Sequence, residues 1–157
     1  MSPRVEIVHG ADPGEVEFTE YGTWYIAEPH SGQKTGFFLD QKDLRREIGH
    51  IAAGRTILNL FSYTGSNGVA VLKGGAQSIR HIDSSESALA TCATQLELNE
   101  LDSSHMDIEC ADVFQWLDGH PDDAPAARPR DGDHVRIDER RQGIARLARE
   151  VGPEVRV

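Results

Sequence analysis

The stretch Ile57-Leu58-Asn59-Leu60-Phe61-Ser62-Tyr63-Thr64-Gly65-Ser66-Asn67-Gly68 passes from an apolar run into small and polar residues. A buried parallel strand reads as a near-continuous apolar run, and ligands in open parallel sheets meet the turns at the carboxyl ends of such strands. Two later segments repeat the pattern: Ser78-Ile79-Arg80-His81-Ile82-Asp83 ends in an acid, and so does Met106-Asp107-Ile108-Glu109-Cys110-Ala111-Asp112. The pattern predicts a nucleotide-type pocket at the first turn, with an acid at the end of each following strand.

The segments between these strands carry a helical period. Gly68 to Lys73 is a short helix stopped by Gly74-Gly75. Ser84-Ser85-Glu86 supplies helix-start chemistry for a helix to Asn99 that faces Ala88, Leu89, Cys92 and Leu96 inward. Upstream, Leu44, Ile48 and Ile51 recur at helical spacing, with Arg45, Arg46 and Glu47 between them on the polar side and Gly54 closing the run. Residues 16–40 alternate apolar and polar around Val16, Phe18, Trp24, Ile26 and Phe38, with Gly22 as a turn former, and residues 1–40 are expected to form a small β-rich leading segment. The predicted class is α/β: residues 41–117 form a Rossmann-like parallel sheet behind that segment.

The chain has 157 residues, 16 basic against 26 acidic, and a net charge of -10. One principal domain fits that length, and the acidic balance argues against a broad phosphate-binding surface. Cys92 and Cys110 have neither disulfide nor zinc spacing and read as core thiols; the seven histidines lack ligand spacing and read as surface or incidental residues, so no metal is expected. No run approaches the roughly 18 apolar residues of a membrane helix, and a cytoplasmic protein is expected. Beyond Trp116 the composition changes, and 8 of 13 arginines lie at Arg128 or later. Residues 118–157 are expected to be a divergent, Arg/Pro/Asp-rich tail, in which the tract 118–133 lacks the apolar content for an ordered element and Ile144, Leu147 and Ala148 offer one face of a short helix.

The pocket's chemistry follows from its residues. The backbone at Gly65 and Gly68 permits close approach of a ligand, and the amides opening the next helix are donors. Asp83, 18 residues after Gly65, stands where an acid accepts from ribose hydroxyls, or caps the next helix. Asp112 stands where an acid accepts from an adenine amine, or caps a helix from Val113 to Leu117, with Val113 and Phe114 as apolar cover. An adenosine-containing cofactor is implied. The turn has Gly65-x-x-Gly68 and lacks the first glycine of the dinucleotide fingerprint, which favours S-adenosylmethionine over NAD.

Four motifs then stand in order: Gly32-Gln33-Lys34-Thr35-Gly36-Phe37-Phe38-Leu39-Asp40-Gln41, Leu58 to Gly65, Ile82-Asp83-Ser84-Ser85 and Ala111-Asp112-Val113-Phe114. Together they resemble the class I S-adenosylmethionine-dependent methyltransferases of large-subunit ribosomal RNA, in particular the bacterial 23S rRNA cytosine-C5 enzymes. The resemblance covers residues 15–117. It implies that Asn59, Phe61, Ser62, Tyr63, Thr64 and Gly65 cradle the methionine part of the cofactor. Asp83 and Ser84 meet the ribose and Asp112 and Val113 the adenine, while Lys34 and Thr35 lie on the cofactor side. Ribosomal RNA is the implied partner.

The last segment departs from the family. Where relatives carry Asp-Pro-Pro after a fourth strand, this chain has Asp133-His134-Val135-Arg136-Ile137-Asp138-Glu139, with Arg136 interrupting a position that should be buried. A truncated or frame-shifted member is expected, either a methyltransferase domain or an inactive cofactor-binding remnant. Its catalytic residues are unassigned, because the cysteine that attacks the base lies, in similar proteins, further toward the carboxyl terminus.

Overall fold

A computed structural model describes residues 7, 9–30, 36–120 and the strand 134–138. A hairpin leads: β1 (Val16–Glu20) pairs antiparallel with β2 (Thr23–Ala27). Its two-residue loop has Tyr21 at φ 50° and Gly22 at φ 73°, the left-handed pair that matches hairpin twist. Then follow a 3₁₀ turn at Leu39–Gln41, α1 (Lys42–Ile51), β3 (Thr56–Leu60), α2 (Ser66–Lys73), β4 (Ser78–Asp83), α3 (Glu86–Leu98), β5 (Met106–Cys110), α4 (Val113–Gly119) and β6 (His134–Asp138). The helix expected from Gly68 begins two residues earlier, at Ser66.

Strands β3 to β6 form one parallel sheet in the order β5-β4-β3-β6. This corrects the reading of the tail. The segment that Arg136 was expected to interrupt pairs with β3 along its whole length, Thr56 with His134 through Leu60 with Asp138. Parallel pairing satisfies the backbone whatever the side chain at position 136. The consequence is topological: the chain steps from β3 to β4 to β5 on one side, then returns to the other side of β3. The order therefore reverses at β3, and the crevice beyond its carboxyl end is the place where such sheets bind ligands.

Alternation along the strands divides the core. Ile57 and Ile79 face α1 and α2, packing with Ile48, Ala52 and Val71; Leu60 and Ile82 face the other way, against Val113 and Trp116 of α4. A third cluster of Tyr25, Phe37, Val69 and Leu96 seats the hairpin on α2 and α3. Asn99 closes the hairpin's β2 side as a strand would: its Oδ1 accepts from Trp24 N at 2.9 Å and its Nδ2 donates to Trp24 O at 2.8 Å.

Two side chains contradict the surface positions expected of them. Arg45 is 1% exposed and His81 is fully buried. The inward stripe of α1 is Gln41, Arg45, Ile48 and Ala52, shifted from the one drawn by aliphatic spacing alone. Cys110 reverses the other way: it is exposed, because β5 is an edge strand, whereas Cys92 is buried as expected. Among the described residues no helix is long and apolar enough to cross a membrane.

Candidate functional site

The turn after β3 is held in an unusual backbone conformation. Phe61 (φ 58°), Tyr63 (φ 48°) and Gly65 (φ 76°) all lie in the left-handed region, which carries strain for the two aromatic residues. The hydrogen bonds that over-determine it come from three elements. Ser62 N donates to Ile82 O at 3.2 Å and Gly65 N to Ser62 O at 2.9 Å. Tyr63 N donates to Asp83 Oδ2 at 2.9 Å, and Gln95 Nε2 of α3 donates to Thr64 O at 2.7 Å.

Asp83 fastens two loops. Its second oxygen, Oδ1, accepts from Ser85 N at 2.9 Å, while Ser85 Oγ caps α3 by accepting from Ala88 N. The helix-cap alternative therefore falls to Ser85, and Asp83 spans the ends of β3 and β4. Asp112 does cap α4, through Oδ1, which accepts from Phe114 N and Gln115 N, each at 3.0 Å. Among the described residues both bonds fall on that one oxygen, so Oδ2 remains to accept another donor.

Both glycines of the turn have reasons internal to the fold. A Cβ on Gly65 would stand 2.5 Å from Cys92 Sγ, and one on Gly68 would collide with the imidazole of His81. Gly68 thus admits a buried side chain beneath α2, and its place in the sequence pattern needs no ligand to explain it.

The expected site residues divide by position. Phe61, Ser62, Tyr63, Thr64, Gly65, Asp83, Ser84 and Asp112 gather at the carboxyl ends of β3, β4 and β5. Asn59 lies one layer down, fully buried, with its Nδ2 3.2 Å from His81 Nδ1. Val113 sends its side chain into the core with Leu60, Ile82 and Trp116, so any contact with a ligand falls to its backbone. The exposed apolar group here is Phe114, whose ring meets Phe61 at 5.9 Å. Lys34 and Thr35 lie outside the described residues.

His81 was missed as an organiser of the site, although alternation with Ile79 would have placed it inward. Burial holds its pKa down at about 4, so the ring is neutral. Ser62 offers the most direct sign of a ligand: it is 1% exposed, and its Oγ has no hydrogen-bond partner among the described residues. A buried hydroxyl without a partner is costly, and a polar ligand seated on the turn would satisfy it. An open cavity of about 230 Å³ lies elsewhere, among the hairpin turn, α1 and the end of α2, and none of the turn's residues line it.

The family model of the S-adenosylmethionine-dependent methyltransferases matches residues 5–120. The chain belongs to that family. The cofactor of that family is S-adenosylmethionine. This methyltransferase chain is 38% identical over 118 residues to the ribosomal RNA large subunit methyltransferase I of Aeromonas salmonicida, covering 74% of this chain and 30% of the relative. It superposes on a structure from Streptococcus mutans, described as an S-adenosylmethionine-dependent methyltransferase, with a TM-score of 0.68 and 33% identity, covering 73% of this chain and 31% of that one. A methyltransferase solved with S-adenosylhomocysteine matches with the same TM-score and identity, covering 30% of that chain. The chain thus spans about 30% of the length of the relatives it matches. The Rossmann-like α/β class is that of these structures.

Proposed function

We propose that this chain is the cofactor-holding part of a ribosomal RNA methyltransferase acting in the cytoplasm on a base of 23S rRNA. The observation that carries the reading is the convergence of the strained Phe61–Gly65 turn, Asp83 and Asp112 on the crevice where strand order reverses. In this assignment the turn from Asn59 to Gly65 holds the amino-acid end of S-adenosylmethionine, with Ser62 Oγ and backbone amides as its polar contacts. Asn59 acts from beneath, through His81.

Asp83 takes the ribose. Each of its oxygens already accepts one amide, and a carboxylate oxygen has a second lone pair for a hydroxyl donor. Asp112 Oδ2 takes the exocyclic amine of adenine, with Phe114 and Phe61 giving the ring apolar cover and Ser84 and the Val113 backbone lining the edge. Lys34 and Thr35 belong to the same assignment by their motif.

The bound cofactor supplies an electrophilic methyl group, and fixing it in line with an acceptor carbon is where much of the rate would arise. Methylation at a pyrimidine C5 needs a thiolate to add at C6. Cys92 is fully buried under the turn, and Cys110 sits at the end of β5 with its Sγ directed to Ser84 O at 3.7 Å. Cys92 lies against the turn, its Sγ 3.9 Å from Tyr63 O, but is fully buried and out of reach of a base, and Cys110 lies on the edge strand, so we assign the base-activating group to residues other than these two.

Calorimetric titration of the purified chain with S-adenosylmethionine tests the assignment. Micromolar binding in the wild type, lost in a folded Asp83→Ala variant, is the expected result. A folded wild type that binds no S-adenosylmethionine would sink it. Transfer of labelled methyl from S-adenosylmethionine to 23S rRNA then separates an enzyme from a chain that only binds.

A further inference from the structure

Arg45 is the most completely buried charged side chain among the described residues, and its guanidinium makes three directed bonds. Nε and Nη2 donate to Glu20 Oε1 and Oε2, each at 2.8 Å, and Nη1 donates to the carbonyl of Phe38 at 2.9 Å. The guanidinium carbon stacks 4.3 Å from the ring centroid of Phe37 and 5.5 Å from that of Tyr25. Glu20 comes from the hairpin, Arg45 from α1, and Phe38 from the segment between them.

Phe38 carries this cluster to the site. Its ring, half-buried, meets the half-buried ring of Tyr63 edge-on, with centroids 5.3 Å apart at 69°. Tyr63 is the strained residue whose amide is bound by Asp83. A continuous line of contacts thus runs from Glu20 through Arg45, the Phe38 carbonyl and the Phe38 ring to the middle of the turn.

Stability alone is a weak reason for this arrangement. Desolvating a carboxylate and a guanidinium costs about as much as their attraction returns, and apolar residues of similar volume often do as well. The planar fork gives something apolar residues cannot: two bonds fix the guanidinium on Glu20, and the third fixes the backbone position from which Phe38 projects. Lysine, with a single ammonium, would not hold both partners in one plane.

We propose that Glu20 and Arg45 are positioning residues for the cofactor turn, acting through Phe38, whose ring buttresses Tyr63 and forms a wall of the cofactor pocket. The inference rests on the proposal that this turn holds S-adenosylmethionine. It makes the β-rich leading segment part of the binding site, although that segment lies outside the parallel sheet.

The test uses the full chain in wild-type form and as Phe38→Ala, Phe38→Tyr, Arg45→Met and the Phe38→Ala/Arg45→Met double variant. Each is measured for cofactor-free unfolding, for S-adenosylmethionine Kd by calorimetry, and for hydrogen exchange at the Tyr63 amide against amides inside β3 and β4. An edge-on aromatic pair contributes enough that Phe38→Ala should raise Kd and speed Tyr63 exchange, each about tenfold, with the strand amides unchanged. Phe38→Tyr should restore both. Arg45→Met should act like Phe38→Ala, and the double variant should be no worse than either single change, because one line of contacts is broken only once.

A folded Phe38→Ala variant with wild-type Kd and wild-type Tyr63 exchange overturns the proposal, and additive losses in the double variant overturn the route through Phe38. Should Arg45→Met fail to fold, the half-buried Phe38 site still decides. A wild type that binds no S-adenosylmethionine removes the cofactor assignment and this inference together, whereas equal binding by wild type and Phe38→Ala removes this inference alone.

Discussion

The imidazole of His81 occupies the space into which any side chain at Gly68 would project, Nε2 being the atom such a Cβ would strike first. Both residues are buried, His81 on β4 and Gly68 in the first turns of α2. The contact sets how closely α2 approaches the sheet directly behind the Phe61–Gly65 turn. Gly68→Ala gains about 1 kcal/mol of helix propensity but forces a side chain into a ring with nowhere to move, an overpacking cost of about 1–3 kcal/mol. The expected outcome is net destabilisation, read as a lower urea midpoint at unchanged slope. The loss should shrink when His81→Ser is added, since neighbouring substitutions that relieve one clash are not additive.

Stability should fall on acidification through the same histidine. Burial lowers its folded-state pKa to about 4, against 6.5 for an ordinary histidine. Between those values the unfolded chain binds a proton that the folded chain refuses, so this contribution is flat above about pH 6.5, is lost as pH falls from 6.5 to 4, and is flat again below. A shift of that size corresponds to about 3 kcal/mol at most. Urea unfolding at several pH values checks it: the wild type should lose more stability between pH 7 and pH 4 than His81→Gln, in which the carboxylates still titrate but the imidazole is gone. Parallel pH curves for the two proteins would refute the claim.

Asp112 has an observed role as a helix cap and a proposed one toward the cofactor, and one pair of substitutions separates them. As the cap of α4 it accepts both amide bonds through Oδ1, so Asp112→Ala should cost about 1 kcal/mol while Asp112→Asn, which keeps a carbonyl oxygen, should cost little. As an acceptor from the adenine amine it needs a second oxygen, which asparagine replaces with a donor. The expected pattern is a stable Asp112→Asn protein with weakened S-adenosylmethionine binding by calorimetry. Wild-type affinity in that variant would confine Asp112 to its capping role.

What was legible in the sequence is what periodicity and chain order encode. β4 falls where the apolar run from Ser78 to Asp83 placed it, and α3 lies within the helix drawn from Ser84 to Asn99. The turn residues were legible because small and hydroxyl side chains interrupt an apolar run. Arg45 was not, because charge reads as surface unless its partner is known, and Glu20 lies 25 residues away on a hairpin. His81 fits the inward alternation with Ile79, yet its polarity outweighed its position. The β6 strand was misread because a charged residue at position 136 says little about backbone pairing, and it is pairing with β3 that creates the reversal of strand order.

Gly65 gives the sharpest test of the turn itself, because two separate physical demands meet there. Its φ of 76° excludes most side chains by local sterics, and its missing Cβ leaves room for Cys92 Sγ, which would otherwise be 2.5 Å away. Gly65→Ala should therefore carry about 1–2 kcal/mol of left-handed strain plus an overpacking term of about 1–3 kcal/mol. Adding Cys92→Ala removes the second term and leaves the first. The double variant should recover part of the stability lost in Gly65→Ala, beyond what the separate cost of Cys92→Ala allows, as measured by a four-protein urea-unfolding cycle. S-adenosylmethionine affinity should remain weakened in both Gly65→Ala proteins, since backbone strain at the turn persists whether or not the thiol is there. Recovery of both stability and affinity in the double variant would instead place the whole demand for glycine on the contact with Cys92.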